Sequence, residues 1–384
     1  MITIKEASLF CKDGDWIESK DQSPSGIRLI QTGNIGIGIY LDKFIRAKYI
    51  SEETFDRMEC TEVFSGDIII SRLPAPVGRA CIVPDGLGRT IAAVDCTILR
   101  IDEKKFLKEY ILLYSETEQY KAQIEKFLAG STRVRISRKN LESISIPQKN
   151  LEKQKSIVSR IYKIKNIIDL RKQQLVKLDQ LVKSRFFEMF GDTKNNINNF
   201  QIYSIGDICS LKSGTSLPLN VENEGGDIPY IKVSDMSLPG NERYITISSR
   251  YVTKKTAGKG IFPVGSVIFP KRGGAIGTNK KRLTQIPICA DLNIMGVIPG
   301  ANIMPQYLLS YFDMIDLGKL DNGSSVPQLN NKDIAPLKIL LPPLSLQEQF
   351  ADFVQQVEKA KSSVKQSLEK LETLKKSLMQ EYFG

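Results

Sequence analysis

Basic side chains at turns and strand ends are the residues of this 384-residue chain whose types and spacing suit a negatively charged ligand. An arginine on a rigid turn can hold guanine or phosphate with two parallel hydrogen bonds, and a lysine suits phosphate. Any one of them alone is better explained as a solvated surface charge. Together they predict DNA binding, because equivalent places in two repeated parts of the chain are basic while the local sequences differ. The candidates are Arg72, Arg79, Arg133, Arg135, Arg138 and Lys139 in the first part and Lys271, Arg272, Lys280, Lys281, Arg282 and Lys332 in the second.

Motifs for catalysis are missing from the sequence. The chain contains no histidine, which excludes a histidine-based triad, a histidine general base and histidine-ligated zinc. It has no Walker A motif, and no Asn/Asp-Pro-Pro-Tyr/Phe segment of the kind that an adenine N6-methyltransferase needs to hold a flipped base. Acidic residues such as Asp67 and Asp85 are better explained as turn formers than as a metal site. We therefore predict no catalytic residue, no metal site and no cofactor bound by this chain.

Composition favours a polyanionic partner. The formal charge is +11, and it is uneven, since residues 151–191 carry ten basic and four acidic side chains. Six cysteines form no CxxC pair and are predicted to be reduced and mostly buried. No apolar run approaches the ~18 residues of a membrane span, and no signal peptide is recognisable. We therefore predict a cytoplasmic protein without a membrane partner.

Two long helices are predicted to position the basic surfaces. The first spans 151–191, and apolar residues recur along it in steps of three and four, which is the heptad pattern of a coiled coil. The second spans 345–382. Their seams consist of Ile157, Ile161, Ile164, Ile168, Leu175, Leu178 and Val182, and of Phe350, Val357, Val364, Leu371 and Leu378; a companion row in the second helix holds Phe353, Ala360, Ser367 and Leu374. Matching seams in one chain predict that the two helices pack together, and because each is reached through an intervening domain, we expect an antiparallel pair. The alternative, that each seam packs only on its own domain, is disfavoured by the length of the seam.

The segments before these helices repeat one plan. The stretch GDIIISRLPAPVG (66–78) aligns with GSVIFPKRGGAIG (265–277) at an offset of 199, and each predicts a hairpin with a basic flank. LEKQ (151–154) aligns with LQEQ (346–349) at an offset of 195, and both open a helix. Shorter helices are predicted over 104–127 and 305–317. The predicted order is a first domain (1–147), a central helix (148–191), a second domain (192–343) that begins with a linker, and a C-terminal helix (344–384).

This combination resembles the DNA-specificity subunit of type I restriction–modification enzymes over essentially the whole chain. The resemblance is carried by GSTRVRISRKNLESISIP before the first helix, KLDQLVKSRFFEMFGD at its end, and LLPPLSLQEQFADFV at the opening of the second. It implies an α+β fold with pseudo-two-fold symmetry, in which two mixed α/β target-recognition domains are separated by two long helices that form an antiparallel coiled coil. Each domain would read one half of a bipartite, asymmetric site in double-stranded DNA. The divergence of the two domains agrees with two different half-sites.

The same resemblance implies the partners. The coiled coil would dock two modification subunits, which carry S-adenosylmethionine and methylate adenine N6. Restriction subunits would add translocation and cleavage driven by ATP with Mg²⁺. None of this chemistry is expected from this chain. The first alternative is a coiled-coil assembly scaffold that binds proteins only, and such a scaffold would show no salt-dependent binding to duplex DNA. The second is an intact methyltransferase or nuclease, which the missing catalytic motifs disfavour.

Overall fold

The computed structural model describes residues 1–130, 134–320 and 327–384, and these residues form two compact units. The first unit comprises Met1–Arg171 and Ser367–Gly384, and the second comprises Lys172–Gln366. Each unit therefore contains one strand-rich domain together with part of each long helix. The predicted α+β class, with two mixed domains and two long helices, is confirmed.

The domain of the first unit contains two four-stranded sheets, with strand orders β2-β9-β6-β7 and β4-β3-β8-β5, and a short ladder between β1 and β10. Its elements are β1 (Ile2–Thr3), α1 (Ile4–Ala7), β2 (Ser8–Asp13), β3 (Ile27–Ile30), β4 (Lys48–Ile50), α2 (Glu52–Arg57), β5 (Glu62–Val63), β6 (Ile68–Ser71), β7 (Ala80–Ile82), β8 (Thr90–Ala92), β9 (Cys96–Ile101), α3 (Lys108–Tyr114), α4 (Glu118–Lys126), α5 (Arg138–Glu142), β10 (Ser145–Ile146) and the start of α6 (Leu151–Phe190).

The second unit repeats this plan with one additional strand. Its sheets have the orders β12-β20-β17-β18-β14 and β15-β13-β19-β16, and β11 pairs with β21. Its elements are β11 (Gln201–Ser204), α7 (Ile205–Ile208), β12 (Cys209–Ser213), β13 (Ile228–Ile231), β14 (Tyr244–Ile245), β15 (Tyr251–Val252), α8 (Lys254–Ala257), β16 (Ile261–Phe262), β17 (Val267–Pro270), β18 (Arg282–Thr284), β19 (Ile288–Ala290), β20 (Ile294–Pro299), α9 (Pro305–Asp313), α10 (Asn331–Ile334), β21 (Lys338–Leu341) and the start of α11 (Leu344–Phe383).

The apolar runs that identified the repeat form the central strands of both domains. Every residue of β6 is buried, because its two faces are both covered. Ile68 and Ile70 belong to the core that includes the helices α3 and α4, whereas Ile69 packs in a separate core with Ile98. This alternation follows from the two-residue period of a strand. Strand β17 is divided in the same way between two cores, and each strand forms the predicted antiparallel hairpin, with β7 and with β18.

In the first unit, the start of α6 packs against the end of α11. Ile157 and Ile161 share a core with Tyr382 and Phe383, and the Arg160 guanidinium donates to the Tyr382 hydroxyl at 3.2 Å. The start of one helix thus meets the end of the other, which is the predicted antiparallel arrangement.

The second unit has the reciprocal arrangement, with the end of α6 against the start of α11. The rings of Phe186 and Phe350 have centroids 5.5 Å apart, and the Lys361 ammonium lies 2.7 Å from the Asp179 carboxylate. The helix ends also enter domain cores, but because the two helices contact each other in both units, the alternative of a seam packed only on its own domain is wrong. The seam residues that are buried are Ile157, Ile161, Ile168, Val182, Phe350, Val357 and Val364, and those that are half-buried are Ile164, Leu175, Leu178, Leu371 and Leu378.

The predicted companion row of α11 is wrong by one residue. Val354 is fully buried, whereas Ala360 is exposed and Leu374 is 46% exposed. A seam that starts at Phe350 continues in steps of four and three through 354 and 357, because 3.6 residues complete a turn.

Two further details of the sequence alignment and helix prediction are corrected. Gln154 and Gln347 are both completely buried at the openings of α6 and α11, so the two helices align at an offset of 193 and not 195. The predicted helix over 104–127 is two helices, because the Thr117 side chain accepts a hydrogen bond from Tyr120 N and thereby begins a new helix. Helix α6 ends before Gly191 as predicted, and the φ of Gly191 is +70°.

Candidate nucleic-acid interface

Arg72 and Arg79 flank the turn of the β6–β7 hairpin. Their backbone is held by hydrogen bonds from Ser71 N to the carbonyl of Arg79 and from Arg72 N to the carbonyl of Asp95. Both are half-buried and already bonded within the domain. The Arg72 Nη2 donates to the carbonyl of Val94 at 2.6 Å, and its Nε lies 3.4 Å from the Asp13 carboxylate. The Arg79 Nη2 donates to the Ser71 hydroxyl at 3.2 Å. These two guanidinium groups are therefore held in place, and only part of each is accessible to a ligand.

A second group of predicted residues lies at α5, and it is more open. Arg135, Arg138 and Lys139 are all exposed. The Arg138 Nε lies 3.4 Å from the Glu142 carboxylate, one helical turn away. The side chains of Arg135 and Lys139 have no ion pair with any residue in the described part of the chain. Arg133 lies outside the described residues.

In the second domain, Lys271 and Arg272 directly follow β17. The Lys271 ammonium donates to the Ser213 hydroxyl at 2.9 Å, and its pKa is lowered by burial and by the neighbouring Arg272. Arg272 is exposed, and its backbone is bridged to that of Gln328. Lys332 is exposed on α10. Arg272 and Lys332 are thus the most accessible of the predicted residues in this domain.

The prediction is wrong for Lys281, which is only 5% exposed. Its ammonium donates to the Asn279 side chain at 2.7 Å and to the carbonyl of Ile315 at 2.6 Å. Burial lowers its pKa to about 8. A side chain that is turned inward and bonded to a backbone carbonyl cannot reach a phosphate outside the domain. The neighbours of Lys281 are half-buried: Lys280 bonds the Ser237 hydroxyl, and the Arg282 Nε donates to the carbonyl of Met236 at 3.1 Å.

Sequence reasoning missed a third basic group, formed by Lys43, Arg46 and Lys48 in the first domain. All three are exposed, and they form no ion pair with another residue that the structure describes. They surround the exposed pair Phe44–Ile45 in a short helical turn, Phe44–Arg46, that precedes β4. The signal in the sequence was the run DKFIRAK, in which basic and apolar residues alternate without the period of a buried strand or helix.

These arrangements of basic side chains suit electrostatic contact with a polyanion. Within residues 1–130, 134–320 and 327–384, no group of three or more Cys, Asp or Glu side chains is placed to hold a metal ion. Five cysteines are buried, Cys11 is half-buried, and all six are unpaired. In the same ranges no helix is both long enough and apolar enough to cross a membrane.

Comparison with known proteins identifies one family. Residues 11–180 and 197–373 match the family described as "Type I restriction modification DNA specificity domain". The "Type I restriction enzyme MjaIX specificity subunit" of Methanocaldococcus jannaschii is 21% identical over 322 residues, which cover 77% of this chain and 72% of that protein.

Two solved structures have the same fold. A chain in the structure described as the basis of "complex assembly and conformational transition of the type I R-M system" superposes with a TM-score of 0.65 at 16% identity, covering 99% of this chain and 96% of that one. The type I restriction-modification S subunit from M. genitalium superposes with a TM-score of 0.56 at 15% identity, covering 100% of this chain and 95% of that one.

Proposed function

Since this chain belongs to the family of type I restriction–modification DNA specificity domains, we propose that it selects the DNA sequence on which such a system acts. It catalyses no reaction by itself. The observation that carries the proposal is the double match to the family, because each matched region coincides with one repeat of the sheet plan. Two copies of one scaffold with different exposed side chains suit a binding site in two unlike halves.

Each domain reads one half of a bipartite, asymmetric target in double-stranded DNA. Among the predicted residues, the accessible cations are Arg135, Arg138 and Lys139 in the first domain and Arg272 and Lys332 in the second. These two sets differ in residue type and in position, as two different half-sites require. The half-buried Arg72 and Lys271 flank the hairpins and support the same surfaces.

The two long helices dock the adenine-N6 methyltransferase subunits, two per chain. Several large apolar side chains on them remain exposed outside the seam, including Ile167, Leu170 and Val176. Exposed apolar side chains on a charged helix favour a further protein partner. S-adenosylmethionine binds to those modification subunits, and ATP and Mg²⁺ serve the restriction subunits. The assembly works in the cytoplasm, where its DNA substrate is found.

Methylome sequencing tests this proposal. A host that expresses the chain with its modification subunit should gain N6-methyladenine at one bipartite sequence, and cells with either subunit alone should gain none. In parallel, the purified chain should bind duplex DNA with an affinity that falls steeply as salt is raised. Binding to partner proteins without any salt-dependent binding to DNA would favour the protein-only scaffold. Methyl transfer by the chain alone would show an intact methyltransferase.

Substitutions in the two domains should act separately. Arg135→Ala should relax the target in one half-site only, and Arg272→Ala should relax it in the other half-site only. If the arginine contacts a base, the loss is about 1–3 kcal/mol at one base position, and if it contacts phosphate, all sequences weaken alike. Lys370→Ala, at an exposed position of α11, is the matched control for DNA affinity. Unchanged affinity and methylation in both arginine variants would refute this placement of the reading surfaces.

A further inference from the structure

The segment 37–45 of the first domain exposes an unusual amount of apolar surface. Ile37, Ile39 and Leu41 are each more than two-fifths exposed, Phe44 is 74% exposed and Ile45 is 98% exposed. Single exposed apolar side chains are ordinary, but five within nine residues of one segment are unusual, and exposed apolar surface of this kind marks a candidate interaction site. We call the outermost pair, Phe44–Ile45, the apolar tip.

The backbone that carries the apolar tip is held firmly. The buried Arg28 guanidinium bonds the Asp42 carboxylate at 2.7 Å. The Asn34 side-chain amide donates to the carbonyl of Leu41 at 3.0 Å, and Gly38 N donates to the carbonyl of Ala80 in β7 at 3.0 Å. A tip on an anchored loop loses little conformational entropy when it binds, so its apolar surface is available for affinity and specificity.

Apart from Asp42, the exposed charged residues next to the apolar tip in the sequence are basic. Lys43, Arg46 and Lys48 are exposed and have no ion pair within the described part of the chain. The acidic residue of this segment, Asp42, is neutralised by Arg28. An apolar projection surrounded by three free cations is complementary to duplex DNA, in which the apolar faces of the bases lie between two rows of phosphates.

The corresponding segment of the second domain is arranged differently. Between β13 and β15, which correspond to β3 and β4, Tyr244 and Ile245 form β14, the additional strand of the second unit. This strand pairs in parallel with Leu283–Thr284, and Ile245 is completely buried. The segment between these two strands therefore adds a strand to a sheet in the second domain, whereas in the first domain it projects Phe44–Ile45 into solvent. The outward position in the first domain gives no stability to its fold, which favours a role in binding.

We propose that Phe44–Ile45 is a wedge that enters a groove of the duplex and packs against bases in the half-site read by the first domain. Lys43, Arg46 and Lys48 contact the phosphates on either side. Apolar side chains inserted at a base step read the sequence through its stacking and deformability. This inference rests on the proposed function and deepens it, because it adds an apolar base contact, confined to one domain, to the arginine and lysine contacts described above.

The test uses the full chain and its Phe44→Ala/Ile45→Ala variant in a selection from randomised duplex DNA, followed by titration of the selected duplexes. The variant should bind the wild-type target about 5- to 100-fold more weakly, and its selected sequence should become relaxed in one half-site only. Both side chains are exposed, so the fold should be retained and the thermal unfolding should coincide with that of the wild type. Ile197→Ala, at an 85% exposed position in the linker before the second domain, is the matched control and should change neither result.

A fluorescence measurement tests the contact directly. The chain has one tryptophan, so Phe44→Trp in a Trp16→Phe background places a single reporter at the apolar tip. Its emission should be quenched by the selected duplex, because the indole stacks on a base. Replacing Lys43, Arg46 and Lys48 by glutamine should lower the slope of log affinity against log salt by about 0.9 for each phosphate that these side chains neutralise in the wild type.

The possible results distinguish a failure of the proposed wedge from a failure of the proposed DNA-binding function. Wild-type chain that binds no duplex DNA at any salt concentration would overturn the proposed function and the wedge with it. Salt-dependent DNA binding by the wild type, with unchanged affinity and selected sequence in the Phe44→Ala/Ile45→Ala variant, would overturn the wedge alone. The wedge is also overturned if this variant binds DNA normally but loses affinity for modification subunits or for anionic lipid vesicles.

Discussion

Two buried glutamines at the openings of the long helices allow a quantitative test of the repeat. Gln154 Oε1 accepts from Leu107 N at 2.9 Å, and its amide nitrogen donates to the carbonyls of Lys105 and Lys149 at 2.9 and 2.8 Å. Gln347 repeats this pattern in the other unit with Met304 N at 2.8 Å and the carbonyls of Asn302 and Pro342 at 3.0 and 2.8 Å. Gln154 thereby fixes the opening of α6 to the residues just before α3, and Gln347 fixes the opening of α11 to the residues just before α9.

Gln154→Leu keeps the volume of the side chain but removes all three hydrogen bonds. One backbone N–H and two backbone carbonyls lose their side-chain partner at a position where the native glutamine is 0% exposed. A buried polar group without a partner costs about 1–3 kcal/mol, and the carbonyls can recover part of this from water. We therefore expect a loss of about 3–5 kcal/mol from the first unit, which is a large share of the ~5–15 kcal/mol that stabilises a typical domain. Gln347→Leu should cost the second unit a similar amount.

Hydrogen exchange measured by mass spectrometry assigns the loss to a unit, which a single melting temperature cannot do for a chain with two units. Gln154→Leu should accelerate exchange in α3, β10 and the start of α6, and Gln347→Leu should do so in α9, β21 and the start of α11. Gln173→Leu, on the exposed face of α6, should leave exchange at the wild-type rate. The reasoning is refuted if the Gln154→Leu and Gln347→Leu variants exchange as slowly as the wild type, or if both variants exchange faster in the same unit.

Three further predictions concern a buried charge, a helix end and the length of the coiled coil. Burial lowers the pKa of Lys281 from 10.5 to about 8, so between these pH values the unfolded chain binds more protons than the folded chain. The free energy of unfolding should therefore rise with pH in this range, by on the order of 2–3 kcal/mol. Urea denaturation should show this rise in the wild type and not in Lys281→Met. Phe383→Ala removes a ring 5.0 Å from that of Tyr110 and should destabilise the first unit by about 3–5 kcal/mol, seen as faster exchange in α3. Inserting four residues next to Lys172 adds about 6 Å of helix and should widen the unspecified gap of the methylated target by about two base pairs, with both half-sites unchanged.

Several of these features were readable from the sequence because their signals are local and periodic. The spacing of Ile157, Ile161, Ile164 and Ile168 predicts a helix with one apolar seam whatever surrounds it. The runs at β6 and β17 repeat at a fixed offset and predict equivalent buried strands. The offset between the two long helices was mistaken by two residues, because Gln154 and Gln347 are recognisable as equivalent only through the backbone groups that they bond.

The sequence by itself determined the repeated domain plan, the two helices and the overall basic character, since each follows from neighbouring residues or from composition. Only the tertiary structure decided which charged side chains are free. Lys281 and Arg272 look alike in sequence, but Lys281 is bonded to Ile315, a residue distant in the chain, and Arg272 is exposed. Phe44–Ile45 and Tyr244–Ile245 are likewise both aromatic–isoleucine pairs in the sequence, but Tyr244–Ile245 pairs with the strand β18, whereas Phe44–Ile45 is exposed. Burial and pairing depend on contacts between residues far apart in sequence, and local patterns do not encode them.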